Sequence, residues 1–116
     1  MNQHPSDESM LSNQMADCIQ DCLNSHAVCL DTAMSLLQKG KEYADPVRIL
    51  LDCSELCATN AHFMMRNSPV WGSVSQACAQ VCNHCAEVCD AIGENECANA
   101  CRASATSCEQ MAKLIP

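Results

Sequence analysis

Apolar and polar positions alternate with helical spacing along the chain, and residues that start or stop helices interrupt this pattern at regular intervals. The stop signals are Gly40 and Gly93, and the pairs Asp45–Pro46 and Ser68–Pro69 are typical helix starts. The pattern predicts a flexible N-terminal arm over 1–8 and helices over about 9–38, 46–66, 69–92 and 96–114. Because the connections are short, we expect an all-α, antiparallel up-down-up-down four-helix bundle over 9–116.

Cysteines share one periodicity in all four predicted helices. They stand at offsets 0, 4 and 11, with one extra cysteine in the third helix and Met64 in the third slot of the second: Cys18, Cys22, Cys29; Cys53, Cys57; Cys78, Cys82, Cys85, Cys89; Cys97, Cys101, Cys108. At about 100° per residue these offsets span an arc of roughly 40°, and Cys85 widens it to about 60°. Acidic residues such as Asp17, Asp31 and Asp90 fall away from this arc. The cysteines are therefore predicted to face inward, with an acidic exterior.

Composition narrows the classes of function. The 116 residues suffice for one domain, and they include 12 Cys but one each of Phe, Tyr and Trp. A net charge of −8 argues against nucleic acid or an anionic membrane surface as a partner, and no apolar stretch reaches the roughly 20 residues of a membrane span. Residues 1–15 carry no Lys or Arg and no secretory apolar run, so we expect a cytoplasmic protein with reduced thiols.

A tube lined by thiols is best explained by a soft monovalent cation. Cu(I) prefers thiolate and thioether ligands, accepts two or three of them, and would cancel the charge of buried thiolates at about one ion per sulfur. The expected capacity is roughly six to twelve Cu(I) per chain. A thiol redox or disulfide protein, a zinc or iron–sulfur bundle, and a purely structural bundle remain alternatives, although only Cys82 and Cys85 have the short spacing that zinc and iron–sulfur sites favour.

Several other side chains are weaker candidates. Met64 is in cysteine phase near one end and is the predicted entrance ligand, and His26 is a flanking candidate. Met111 is expected to be an apolar plug, whereas His62 and His84 fall on the outer sides of their helices. Since no catalytic constellation or phosphate loop is present, the sequence does not indicate an enzyme.

The third helix, from Cys78 to Cys89, and the fourth, from Cys97 to Cys108, resemble the bacterial copper storage proteins, in particular their cytosolic branch. The resemblance covers about residues 14–113. It implies a homo-oligomer, commonly a tetramer, that holds Cu(I) on core cysteines with His and Met near one open end. The chain departs from the fully lined pattern at offset 7, where Ser25, Asn60 and Ser104 stand in place of cysteine, so we expect fewer ions.

Overall fold

The computed structural model describes residues 7–114, which form four long helices and one short 3-10 turn. The helices are α1 (Asp7–Leu37), α2 (Ala44–Met65), α3 (Trp71–Ala91) and α4 (Asn95–Ala112), and the 3-10 turn spans Lys41–Tyr43. Each helix packs against the preceding and following ones, and α4 also packs against α1. The predicted all-α, up-down-up-down bundle is therefore confirmed.

The helix bounds differ from the expected ones at several points. Helix α1 includes positions 7 and 8 of the expected arm, whose first six residues lie outside the described range. Helix α2 begins two residues before Pro46 because the 3-10 turn runs directly into it at Ala44. Helix α3 begins at Trp71, since the Ser68 hydroxyl accepts the Val70 N–H and holds a turn ahead of the helix.

Two helices end in the same left-handed motif. Gly93 has a φ of 79°, and the Glu94 N–H donates to the Cys89 carbonyl at 2.9 Å. Asn67 has a φ of 49° after α2, where the Ser68 N–H donates to the Phe63 carbonyl at 2.9 Å. Both are Schellman-type ends, which satisfy carbonyls of the last helical turn and reverse the chain sharply. The reversals keep α2, α3 and α4 in one compact bundle.

The interior contains sulfur and small side chains where most bundles have leucine. Alanines such as Ala61, Ala98 and Ala105 are buried between the helices, which allows the helices to approach closely. Large apolar side chains are buried mainly beyond the cysteines, with Leu36, Val47 and Leu50 toward one end of the bundle. None of the helices in the described range is long and apolar enough to cross a membrane.

Candidate metal centre

All twelve cysteines are 0 % exposed, and all twelve are free thiols. The prediction that the cysteines face inward is confirmed. Their burial follows from the shared phase, because offsets of 0, 4 and 11 return to nearly the same side of a helix. Four such stripes meet along the bundle axis and form a column of sulfur atoms.

Three sets of thiols in this column have their Sγ atoms within 4.8 Å of one another. The three-thiol group contains Cys18, Cys22 and Cys108; the central group contains Cys53, Cys57 and Cys82; and the four-thiol group contains Cys29, Cys53, Cys85 and Cys101. Each set draws its sulfurs from two or more helices, so it exists only in the folded bundle. Cys53 belongs to two of the sets.

Sulfur contacts continue from one helix to the next over most of the column. Sγ–Sγ distances are 3.6 Å for Cys97–Cys29, 3.5 Å for Cys29–Cys101, 3.9 Å for Cys101–Cys53 and 3.7 Å for Cys53–Cys82. Cys57 then lies 3.4 Å from Cys82 and 3.7 Å from Cys78. These distances far exceed the roughly 2.05 Å of a disulfide, and they suit two thiolates that share one bound ion.

Four buried polar residues interrupt the sulfur lining along the column: Ser25, Asn60, Ser75 and Ser104, each 0 % exposed. The Asn60 Nδ2 donates to Cys22 Sγ at 3.4 Å and to Cys108 Sγ at 3.3 Å. The Ser75 hydroxyl donates to Asn60 Oδ1 at 2.9 Å. Ser104 Oγ lies 3.5 Å from Cys22 Sγ and 3.4 Å from Cys82 Sγ, between the three-thiol and central groups.

Hydrogen bonding divides the thiols into proton donors and acceptors. Hydrogen bonds from Cys108 and Cys18 lower the pKa of Cys22 to about 4, because they favour its thiolate. The pKa of Cys18 is raised by its own hydrogen bonds with Cys108 and Cys22 and by burial. In the four-thiol group, hydrogen bonds with Cys101 and then Cys53 lower the pKa of Cys29 to about 5, whereas that of Cys53 is raised, chiefly by Cys101.

The remaining sequence candidates lie at the edges of the column. Met64 and Met111 are buried; Met64 lies one helical turn beyond Asn60 in α2, and Met111 lies one turn beyond Cys108 of the three-thiol group in α4. Cys89 lies in α3 beside the four-thiol group, where it affects the pKa of Cys85. His26 is half-buried, and its Nδ1 lies 2.9 Å from the carbonyl and from the hydroxyl of Ser54. The structure thus turns the His26 ring toward α2 and does not bring it to a thiol.

Sequence reasoning missed the role of Ser75 and the Ser54 contact of His26. Ser75 stands three residues before Cys78 and so shares its helix face, a spacing that could have identified it as an inward residue. The spacing of Ser54, one residue from Cys53, gave no comparable signal. In the described part of the chain, no buried side-chain nitrogen or oxygen lacks a hydrogen-bond partner.

Comparison with protein families gives a match over nearly the whole chain. The family model described as "Copper storage protein" matches residues 4–113. A cysteine-rich protein of Bacillus subtilis (strain 168), YhjQ, whose description calls it uncharacterized, is 25 % identical over 95 residues, which are 80 % of this chain and 88 % of that protein.

Two solved structures have the same fold. The Nmul_A1745 protein from Nitrosospira multiformis superposes with a TM-score of 0.85 at 33 % identity and covers 90 % of this chain and 99 % of its own. A single-residue mutant of Ccsp from Streptomyces lividans gives a TM-score of 0.79 at 29 % identity, with 88 % of this chain and 94 % of that chain covered. The fold is thus shared with other bacterial proteins.

Proposed function

The chain belongs to the copper storage protein family, as the resemblance of its third and fourth helices predicted, and on that premise we propose that it stores Cu(I). The ions would bind reversibly to core thiolates, so that the protein holds copper in reserve and limits its toxicity. The proposed role is sequestration without catalysis.

The observation that carries this proposal is the continuous series of Sγ–Sγ distances of 3.4–3.9 Å that links four helices from Cys97 to Cys57. Cu(I) is soft, needs only two or three sulfur ligands and tolerates thiolates that bridge neighbouring ions. A monovalent ion can also neutralise buried thiolates at about one per sulfur, whereas tetrathiolate zinc leaves two negative charges per site. We therefore propose roughly six to twelve Cu(I) per chain.

We propose all twelve cysteines as the core ligands, with the Met64 thioether as the ligand where copper enters. Met64 is 2 % exposed and lies at the end of α2, which supports a position at the end of the column. His26 would have to rotate away from Ser54 before it could reach an ion. Met111 is 1 % exposed, and we propose that it closes the same end of the column as an apolar plug.

A zinc site is the second candidate, because the four-thiol group supplies four thiols within 4.8 Å of one another, the number that a structural zinc site requires. Elemental analysis of protein produced with mixed metals separates the two. We expect copper to exceed zinc by several atoms per chain, and stable zinc with little copper would favour the alternative. Reversible oxidation of a defined set of thiol pairs would instead favour a redox protein.

The direct test is an anaerobic titration of the reduced protein with Cu(I) against a competing chelator, read as equivalents bound. Replacement of Cys22, Cys57, Cys82 and Cys101 by Ser should reduce the capacity by about two to four ions. Protein whose thiols have been alkylated in denaturant is the control and should bind almost no copper. An unchanged stoichiometry in the four-serine variant would contradict the proposal.

We also propose a cytoplasmic location and a homo-oligomer, by family resemblance a tetramer. Free thiols at all twelve positions support a reducing compartment. Large apolar side chains exposed on α1 and α2, namely Leu30, Met34, Leu37, Leu51 and Met65, support association of subunits. Light scattering should give a mass about four times that of the chain, and a Met34→Lys variant should reduce it.

A further inference from the structure

We propose that Asn60, held in orientation by Ser75, directs the first Cu(I) ion to the three-thiol group. This inference rests on the proposed function and concerns the order in which the thiols are filled. In it Asn60 is a positioning residue that acts on bound thiolates through its amide N–H groups.

The Asn60 amide is oriented by its hydrogen bonds. A side-chain amide has two N–H donors on one end and a carbonyl oxygen on the other. Asn60 places its Nδ2 3.4 Å from Cys22 Sγ and 3.3 Å from Cys108 Sγ, while its Oδ1 accepts from Ser75 at 2.9 Å. Because a thiolate has no proton to donate, this orientation is also the one that suits a copper-bound group.

The charge of the sulfur column depends on how many Cu(I) ions it holds. A fully loaded column approaches one Cu(I) per thiolate and is close to neutral, but a single ion on three thiolates leaves two negative charges in a buried site. Amide N–H groups stabilise such charge, and hydrogen bonds to charged acceptors are roughly twice as strong as neutral ones. The first ion needs this stabilisation more than later ions do.

The four-thiol group has no comparable amide among its hydrogen-bond contacts in residues 7–114. Among its sulfurs, Cys29 Sγ contacts the Ser25 hydroxyl at 3.8 Å. The other short contacts of these sulfurs are with thiols. Thiol S–H donors disappear as their sulfurs ionise, whereas Asn60 keeps both N–H groups. A lone ion is thus less stabilised in the four-thiol group, which fills when enough ions are present to neutralise it.

The test uses the full chain with ¹³C-labelled cysteine, reduced and anaerobic, and follows the cysteine resonances as Cu(I) is added. In the wild-type protein, the first equivalent should shift the signals of Cys22 and Cys108 before those of Cys53 and Cys101. In Asn60→Leu this order should be lost and the affinity for the first equivalent should fall about tenfold, with total capacity unchanged.

Two further variants separate N–H donation from other roles of Asn60. Asn60→Asp keeps an oxygen of nearly the same shape that can accept from Ser75, but it replaces two N–H donors by the single O–H of a protonated carboxyl, so it should lose most of the first-ion preference. Ser75→Ala frees the amide to rotate and should give a smaller loss. Ser25→Ala, which removes a hydroxyl that contacts Cys29 and Cys57, is the matched control and should leave the order unchanged.

The outcomes are distinguishable. First shifts at Cys53 and Cys101 in the wild-type protein, or full first-ion affinity in Asn60→Asp, would overturn this inference while leaving copper storage intact. If the wild-type protein bound no copper, the proposed function would fail together with the inference.

Discussion

The three-thiol group and the four-thiol group contain equally buried cysteines in the same helical phase, yet their surroundings differ. Cys22 and Cys108 accept N–H groups from Asn60, and Met64 and Met111 lie beyond them. Cys29, Cys53 and Cys101 contact mainly other thiols, and the buried Leu50 lies one turn before Cys53. Thiols of equal burial therefore meet different hydrogen-bond donors, because a few polar residues replace sulfur in the lining.

The largest expected effect comes from removing each group in turn. Replacing Cys29, Cys53, Cys85 and Cys101 by Ser should lower the Cu(I) capacity by about two to four ions, and also disturb the central group, which shares Cys53. Replacing Cys18, Cys22 and Cys108 should lower the capacity less, but weaken the first equivalent more. Anaerobic titration measures both quantities, and equal effects on the first equivalent would remove the distinction between the groups.

The next largest effect concerns the free energy of unfolding of the copper-free protein, to which the apolar end beside the four-thiol group contributes. Leu50 is 0 % exposed, so Leu50→Ala should lower the free energy of unfolding by about 2–5 kcal/mol. The neighbouring Leu51 is 36 % exposed, and Leu51→Ala is a matched control expected to change it by about 0.5 kcal/mol or less. Denaturant unfolding in reductant measures both, and equal losses would show that Leu50 is not a core residue.

The two groups should also differ in how pH affects copper binding. Hydrogen bonds with Cys101 raise the pKa of Cys53, and those with Cys29 raise that of Cys101, so copper must displace protons from both. In the three-thiol group, hydrogen bonds with Cys108 and Cys18 lower the pKa of Cys22, while the pKa of Cys18 is raised, so copper would displace a proton from Cys18 more than from Cys22. In the four-thiol group the pKa is lowered at Cys29 and raised at Cys53, Cys85 and Cys101, so more protons would be displaced there. Affinity should weaken as pH falls, by about tenfold per unit for each displaced proton.

This difference can be measured by proton release at constant pH as copper is added. We expect fewer protons per ion for the first equivalent than for later ones. A constant ratio throughout the titration would contradict the lowered pKa of Cys22.

The smallest expected change comes from adding sulfur between the groups. Ser104 lies 3.5 Å from Cys22 Sγ and 3.4 Å from Cys82 Sγ, so Ser104→Cys would place a thiol between the three-thiol and central groups. Capacity should rise by about one ion or less. In the titration, binding of the first equivalent should become less distinct from binding of later ones. Ser54→Cys is the control, because Ser54 lies beside His26 outside the column, and it should leave the titration unchanged.

Much of this architecture follows from the sequence because the bundle is periodic. The 0, 4, 11 spacing fixes the inward face of each helix, and this spacing alone is enough to predict that Cys18, Cys57, Cys89 and Cys101 lie in the core. The number and antiparallel order of the helices follow from equally local signals, as at Gly93.

Contacts between helices could not be predicted as well. Helical phase predicts which side of a helix a residue faces, but neither its level along the bundle axis nor the residue that it contacts. Sequence identified Asn60 as a missing sulfur, yet its hydrogen bonds to Cys22, Cys108 and Ser75 depend on the relative height of four helices. His26 shows the same limit: its angular position allowed a ligand role, while the nearby Ser54 decides where its Nδ1 points. The first residue of α3 was mispredicted for a similar reason, because the hydrogen bond from the Val70 N–H to the Ser68 hydroxyl depends on the conformation of the turn.

The complete burial of the thiols also has a kinetic meaning. An acceptor protein or a chelator cannot touch an ion held by side chains that are 0 % exposed, so transfer would have to wait for a local opening of the bundle. At saturating acceptor, the exchange rate would then be independent of the acceptor's concentration and identity, and equal to the opening frequency of the helix ends. The rate at which a cell could recover stored copper would then be set by how often the bundle opens.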